Sequence, residues 1–337
     1  MPQSEFSYFA SSDKSTYIKL MLTFDPILVT NPVIEDDITT STVIRDDRYL
    51  VIYNREWQAS IHALGLHTKD RPYKLFGTNS NGLNVLICRY LTPLKPPAGF
   101  MSRRGVLHLV SMIPFMKDSH SFIGEADLWC TCAQFWEIGA GDEEEHAVML
   151  YNYLYYLSIV NGDNKNMQPP AVKGKKKPPP GYPSDEAVRN ECLYLVLGRA
   201  IPEGDTVYIL MRDTRRKSHG YGPESFLVIN PCNGHVYSAI DPNCPLRNIY
   251  CIATPYNIWG NIQVESAPSE IRYDVFASDQ WRPLFGHRMK PPPGALNSIQ
   301  DDIIYYESSA AYALEVEKNI HTQLRNSMRR WRSKRHR

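Results

Sequence analysis

The residues whose types and spacing could do chemistry fall in three places: Glu143-Glu144-Glu145-His146, Cys232-Asn233-Gly234-His235, and a scattered set of seven cysteines. Glu143-x-x-His146 has the i,i+3 spacing of a carboxylate–imidazole half-site, but di-metal chemistry needs a second such motif on a facing helix. No other Glu-x-x-His occurs, so no metal is assigned, and solvated charges at a helix start are the simpler reading of the glutamates. Cys130-x-Cys132 lacks the second pair that a zinc site requires. Phosphate-cradling glycine motifs are absent: Gly220-Tyr221-Gly222-Pro223 is a turn, and no nucleotide or other cofactor is expected. Cysteine chemistry is the remaining class. A helix N-terminus lowers a thiol pKa, and Cys232 lies three residues before His235.

These residues need elements to hold them. Gly141-Asp142-Glu143-Glu144-Glu145 reads as a helix start: glycine breaks the chain, Asp142 caps, and the carboxylates favour the positive end of the helix dipole. Ala147, Leu150, Tyr151, Leu154 and Leu157 then recur at the spacing of one buried face. After the helix, β-prone runs follow between turn signals: Cys192–Leu197, Thr206–Met211, Phe226–Ile229, His235–Ser238 and Ile249–Ile252. A helical run followed by an antiparallel meander is an α+β pattern.

Upstream, Met1–Ser15 is polar and Ser-rich and reads as disordered, Tyr17–Phe24 as a strand, and Asp36–Asp47 as a loop. Arg48–Leu66 is amphipathic and predicts a helix; Val85–Cys88 predicts a buried strand, and Arg104–Ile113 a helix ended by Pro114. Asn161–Ser184, with its Lys173–Lys177 and Pro178–Pro180 runs, is a low-complexity loop insertion that cannot form a core. Tyr312–Arg337 predicts a helix with Leu314, Val316, Ile320, Leu324 and Met328 along one stripe and a basic, Trp331-bearing end.

The net charge of +1 provides no global field for nucleic acid, and none is expected as a partner. An odd number of scattered cysteines fits reduced thiols in a cytosolic protein. The N-terminus has no signal-peptide pattern, and no run approaches the about 20 apolar residues that span a bilayer. The basic C-terminal helix is the one local patch, suited to anionic lipid or an acidic protein surface.

The order of helix start, Gly-x-(nucleophile)-x-x-x-Ala-x-Leu-like run and two strands resembles the core of transglutaminase-like (papain-like) peptidases. That resemblance puts the nucleophile position on Glu143, the histidine position at or beside Thr206, and the acid position on Asn230, before Pro231. Glutamate beside two more carboxylates is a poor acyl-transfer nucleophile, and threonine is no general base near neutral pH. The resemblance therefore implies a kept scaffold and a lost catalyst, with no catalytic residue. The other register pairs His235 with Asp241 and still finds no cysteine at the helix start.

Seven runs in order resemble the C-terminal part of the coiled-coil and C2 domain-containing protein 2 family: Arg89–Pro97, Val110–Phe115, Asp127–Trp129, Gly141–Val148, Ala200–Gly204, Asn230–Tyr237 and Asn257–Gln263. The resemblance implies a structural component of the ciliary transition zone, joined to tectonic and Meckel-syndrome proteins and needed to build cilia. It implies a place in the cytoplasm and cytoskeleton at the cilium base, at the basal body and transition zone. The family's upstream coiled coils and most of its C2 domain have no counterpart here, so the chain reads as a fragment or short isoform.

The expected organisation is thus 1–30 as a disordered start with a possible last C2 strand, and 31–118 as a mixed α/β extension. A degenerate transglutaminase-like domain follows at 119–285 with its insertion at 161–184, and 286–337 is a linker and basic helix. The fold is expected to be a helix packed on an antiparallel sheet. Asp142, Glu143, Glu144 and Glu145 are the expected exposed partner-binding edge. Two other functions compete with the scaffold: an active cysteine peptidase or deamidase through Cys232 and His235, and a peptide-binding module using the old substrate groove.

Overall fold

In the computed structural model, the described residues are 6–10, 16–20, 42–118, 127–160, 193–213, 220–286, 288–305 and 309–335. They divide into two units, Met1–Ile303 and Ile304–Arg337. In the first, an 18-residue helix lies against a seven-stranded antiparallel sheet, the expected α+β arrangement.

The chain begins with a hairpin, β1 (Phe6–Ala10) and β2 (Thr16–Leu20), registered from Phe6 opposite Leu20 to Ala10 opposite Thr16. The reading of Met1–Ser15 as disordered is corrected there. Phe6, Tyr8 and Phe9 are strand formers, and the flanking serines masked them in composition. Residues 21–24 of the expected strand lie outside the described residues. Helix α1 (Thr42–His62) starts inside the stretch expected as a loop; α2 (Leu66–Lys69) is one turn. Hairpin β3 (Phe76–Thr78) and β4 (Asn84–Leu86) runs into a 3₁₀ turn, Ile87–Tyr90, so the expected strand at Val85–Cys88 is only half strand. Helix α3 (Arg103–Ser111) is capped by Ser102, whose hydroxyl accepts from the Gly105 N–H at 3.0 Å. Helix α4 (Cys132–Ile138) has a capping box of Thr131 and Gln134 and ends at Gly139, whose φ of 69° is left-handed.

The central helix, α5 (Glu143–Val160), is buried all round from Glu145 to Tyr155 and not on one face. The sheet covers one side, while α3 and α4 cover the others. Asn152 makes that possible. Its Oδ1 accepts from the Thr92 N–H at 2.9 Å, and its Nδ2 donates to the Tyr90 carbonyl at 2.9 Å. A polar side chain at the centre of the core thus satisfies two backbone groups that no strand or helix pairs.

The sheet holds β5 (Leu193–Ala200), β6 (Gly204–Arg212), β7 (Phe226–Ile229), β8 (Val236–Ser238), β9 (Leu246–Ala253), β10 (Ile258–Asn261) and β11 (Trp281–Pro283), in the order β11-β10-β9-β5-β6-β7-β8. The expected meander is broken once. After β8 the chain crosses to the far side of β5, which becomes the central strand. On one face Tyr194, Val196, Tyr208, Leu210, Phe226 and Val228 pack with Ile271, Tyr273, Val275 and Trp281. By alternation Val207, Ile209 and Met211 point to the other face, where α5 packs on β5 and β6.

Residues upstream of the central helix seal the β10 end of the sheet. A Cβ on Gly260 would lie 2.9 Å from the Trp57 ring, so only glycine lets α1 approach this closely. Trp57 Nε1 donates to the Pro283 carbonyl at 2.9 Å. Arg71 donates to the carbonyls of Asn261, Gln263 and Val264 at 3.0, 2.8 and 2.7 Å. The guanidinium thus caps the carbonyls at and just past the end of β10, and the Tyr73 hydroxyl also donates to the Asn261 carbonyl at 2.9 Å.

The second unit contains α6 (Ala310–Arg335), a 26-residue helix. The insertion at 161–184 lies outside the described residues.

Candidate functional site

The start of α5 is built from both directions. Gly141 bridges to Phe115, its N–H donating to the Pro114 carbonyl at 3.2 Å and its carbonyl accepting from Met116 at 2.7 Å. Asp142 is the N-cap, as expected: its Oδ1 accepts from the Glu144 N–H at 3.3 Å. Glu145 closes the reciprocal half, accepting from the Asp142 N–H at 3.1 Å through one oxygen and from the Cys130 N–H at 2.9 Å through the other. The acidic run is therefore no exposed edge. Asp142 and Glu145 are 7% and 4% exposed, spent on the helix start and on the neighbouring strand-like segment, and Glu143 and Glu144 are half-buried. Lys74 pairs with Asp127 and stands 4.0 Å from Glu144.

Burial and crowding hold protons on this cluster. Asp142 is pushed up to about 9, first by burial and then by the hydrogen bond and charge of Glu145. Burial carries Glu145 up to about 7, and Glu144 is raised by burial and by Asp142. Asp118, raised by burial, accepts from the Leu128 N–H at 2.6 Å. The carboxylates of Asp118, Asp142 and Glu145 lie within 4.8 Å of one another, as do those of Asp142, Glu143 and Glu144. Backbone N–H groups already occupy Asp118, Asp142 and Glu145, which makes the first group a capping network. His146 is a packed histidine: Nδ1 lies 2.6 Å from the Asp142 carbonyl, Nε2 3.0 Å from the Ile113 carbonyl, and Phe135 stands edge-on at 4.9 Å. Burial lowers its pKa. With both nitrogens turned to backbone carbonyls, it does not act with Glu143.

The degenerate triad positions come only partly together. Glu143 opens α5 and faces Lys117, Glu203 and Cys232 closely enough for their charges to act on one another. Asn230, at the end of β7, donates to the Tyr208 hydroxyl at 2.7 Å, and Tyr208 donates on to Glu203 at 3.2 Å. The carboxamide oxygen accepts from Cys232 and Asn233 and so shapes the 231–234 turn. Thr206 is elsewhere: it pairs with Gly198 of β5, and its buried hydroxyl has no partner. The side chain across from Asn230 is therefore Tyr208, two residues along the same face of β6. Counting the β6–β7 register, Ile209 opposite Ile229, back by one residue gives that pairing.

Tyr208 cannot serve as a base, because burial and Glu203 push its hydroxyl far up. Cys232 fares no better as a nucleophile. Its thiol is raised by burial and then by Glu143, Asp142, Glu144 and Glu203. The exposed His235 turns its Nδ1 to the Tyr237 hydroxyl, 3.4 Å away. Cys130 and Cys132 are each pushed up to about 12 by burial. Sequence reasoning missed Glu203 and Tyr208; Glu203 stands inside the Ala200–Gly204 run, and Tyr208 needed the strand register.

Residues 127–161 and 189–284 match the CEP76 peptidase-like domain, a span running from the segment before α4 through α5 and the sheet to β11. The chain is 25% identical over 266 residues to human Protein CC2D2B, and 31% identical over 262 residues to the Coiled-coil and C2 domain-containing protein 2A of Drosophila melanogaster. Each similarity covers 76% of this chain and 16% of the relative. The human Centrosomal protein of 76 kDa is 22% identical over 256 residues, covering 75% of this chain and 35% of that protein. The chain thus spans only a small part of the relatives it matches. The resemblance to the C-terminal region of the coiled-coil and C2 domain-containing protein 2 family holds, and the peptidase-like fold lies inside it.

Proposed function

We propose that this chain is a non-catalytic interaction domain: a degenerate transglutaminase-like peptidase fold serving a structural scaffold at the centrosome and cilium base. The observation that carries this reading is the Asn230–Tyr208–Glu203 chain set against Glu143, which fills the triad positions with groups able to hold a shape and unable to attack a carbonyl. A relative named for the centrosome supports the location. Within that setting the scaffold is the ciliary transition zone, with tectonic and Meckel-syndrome proteins as its partners. Two experiments test this. The tagged chain, expressed in ciliated cells, is expected to concentrate at the cilium base and to co-precipitate tectonic proteins; a diffuse distribution without tectonics would sink the location. A thiol-reactive peptidase probe is expected to leave Cys232 unlabelled at neutral pH, and stoichiometric labelling there would restore the enzyme reading.

A further inference from the structure

The long helix α6 carries a surface of its own. Val316, Ile320, Leu324, Met328 and Trp331 fall within about 60° of the Trp331 line on a helix that turns about 100° per residue. They are not core residues: Trp331 is 68% exposed, Leu324 59%, Ile320 55% and Met328 49%. Around that stripe every charged residue of the last turns is basic. Arg330 and Arg332 lie about 100° to either side of Trp331, Arg325 and Arg329 lie behind, and no carboxylate follows Glu317 on the helix.

We infer that α6 seats on an anionic lipid surface, lying in the bilayer plane with the Val316–Trp331 stripe in the acyl boundary and the arginines on the headgroups. Three features favour lipid. A second copy of the helix, packed in parallel, would bring arginines against arginines; antiparallel, it would offer them only Glu315 and Glu317. A protein groove would need carboxylates fixed on both rims and also behind. A bilayer of anionic lipid presents negative charge on every side of the seated helix without any register, and long arginine side chains reach it while their stems stay apolar. Low overall hydropathy with Trp, Leu and Ile on one face and Arg on the other is the pattern of an interfacial helix, and no helix among the described residues is long and apolar enough to cross a membrane. This inference stands apart from the scaffold reading and does not need it.

The test is co-sedimentation of the full chain with phosphatidylcholine vesicles, with and without 30% phosphatidylserine. Wild type is expected to sediment with the anionic vesicles only, and to be released at high salt. Replacing Arg325, Arg329 and Arg332 by glutamine is expected to weaken binding about 100-fold, and by lysine to retain it. The glutamine variant also separates α6 from the Lys173–Lys177 run, which it leaves intact. L324S/W331S, with helicity checked by circular dichroism, is expected to lose binding. Wild type staying in the supernatant overturns the inference. So does unchanged binding of L324S/W331S, which would mean charge attraction alone, and so does retention on polyglutamate with none on vesicles, which would assign the helix to an acidic protein.

Discussion

The Asn230 carboxamide donates to the Tyr208 hydroxyl at 2.7 Å, joining the residue that follows β7 to the middle of the neighbouring β6. The Tyr208 hydroxyl donates its own hydrogen bond to Glu203, and Asn230 turns its oxygen to the 231–234 backbone, so the network ties a turn to the sheet.

If that network is structural, Tyr208→Phe should destabilise the fold by about 1–3 kcal/mol, because it leaves the buried Asn230 amide and Glu203 only their own long 3.4 Å hydrogen bond. Urea unfolding followed by far-UV circular dichroism measures it. An unchanged midpoint would show that water replaces the hydroxyl freely.

The capping box makes two substitutions at one position diverge. Asp142→Ala removes the acceptor of the Glu144 N–H and should cost about 1–2 kcal/mol. Asp142→Asn keeps an N-cap acceptor without having to hold a proton that the unfolded chain releases, and should be at least as stable as wild type at pH 8. Thermal melts of both variants decide it; equal losses would mean that the charge of Asp142 matters more than its cap.

The same cluster sets a pH dependence. Asp142 and Glu145 have folded pKa values raised to about 9 and about 7, so their contribution to stability is fully present below the ordinary carboxylate range. It fades as pH rises through neutrality, because the unfolded chain sheds protons that the folded one retains. His146 acts oppositely. Its lowered pKa gives stability that is present above about 6.5 and lost as pH falls through the folded value. Denaturation midpoints should therefore peak in mildly acidic to neutral buffer and decline toward pH 9, and Asp142→Asn should flatten the alkaline limb. A midpoint that climbs steadily to pH 9 would contradict a buried, proton-holding pair.

Asn152 offers a sharper core test. Asn152→Ala strips the Thr92 N–H of its partner and leaves the Tyr90 carbonyl only the Gln300 amide, and should cost about 2–4 kcal/mol. Asn152→Leu, which fills the volume without the hydrogen bonds, should recover little of that loss. Full recovery would mean that the site is governed by packing.

What could be read from the chain and what could not divide along physical lines. Gly141–Glu145 signalled a helix start because caps and dipole preferences are local, and the start lies there. β5, β6 and β7 were legible because each carries an uninterrupted run of apolar residues. β10 passed unseen, since Ile258–Asn261 is four residues long and contains a glycine needed only for contact with Trp57. The glutamates looked solvated because three carboxylates at a helix start ordinarily are; their burial comes from the 113–118 and 127–130 segments folding over them. Motif spacing, which counts residues along the chain, points to Thr206, whereas the residue that meets Asn230 is set across the ladder and is Tyr208.

Arg71 bears on what can be inherited and what can fold. The stretch shared with the peptidase-like family begins at residue 127, yet the carbonyls that follow β10 are closed by a guanidinium 56 positions earlier, beside a tryptophan from α1. A chain started at residue 119 would carry every residue matched to the peptidase-like domain and still open its sheet at that end, with Gly260 facing water and three carbonyls bare. The matched domain is smaller than the body that must assemble, and an excised version needs the segment from Trp57 through Arg71 to keep that flank shut.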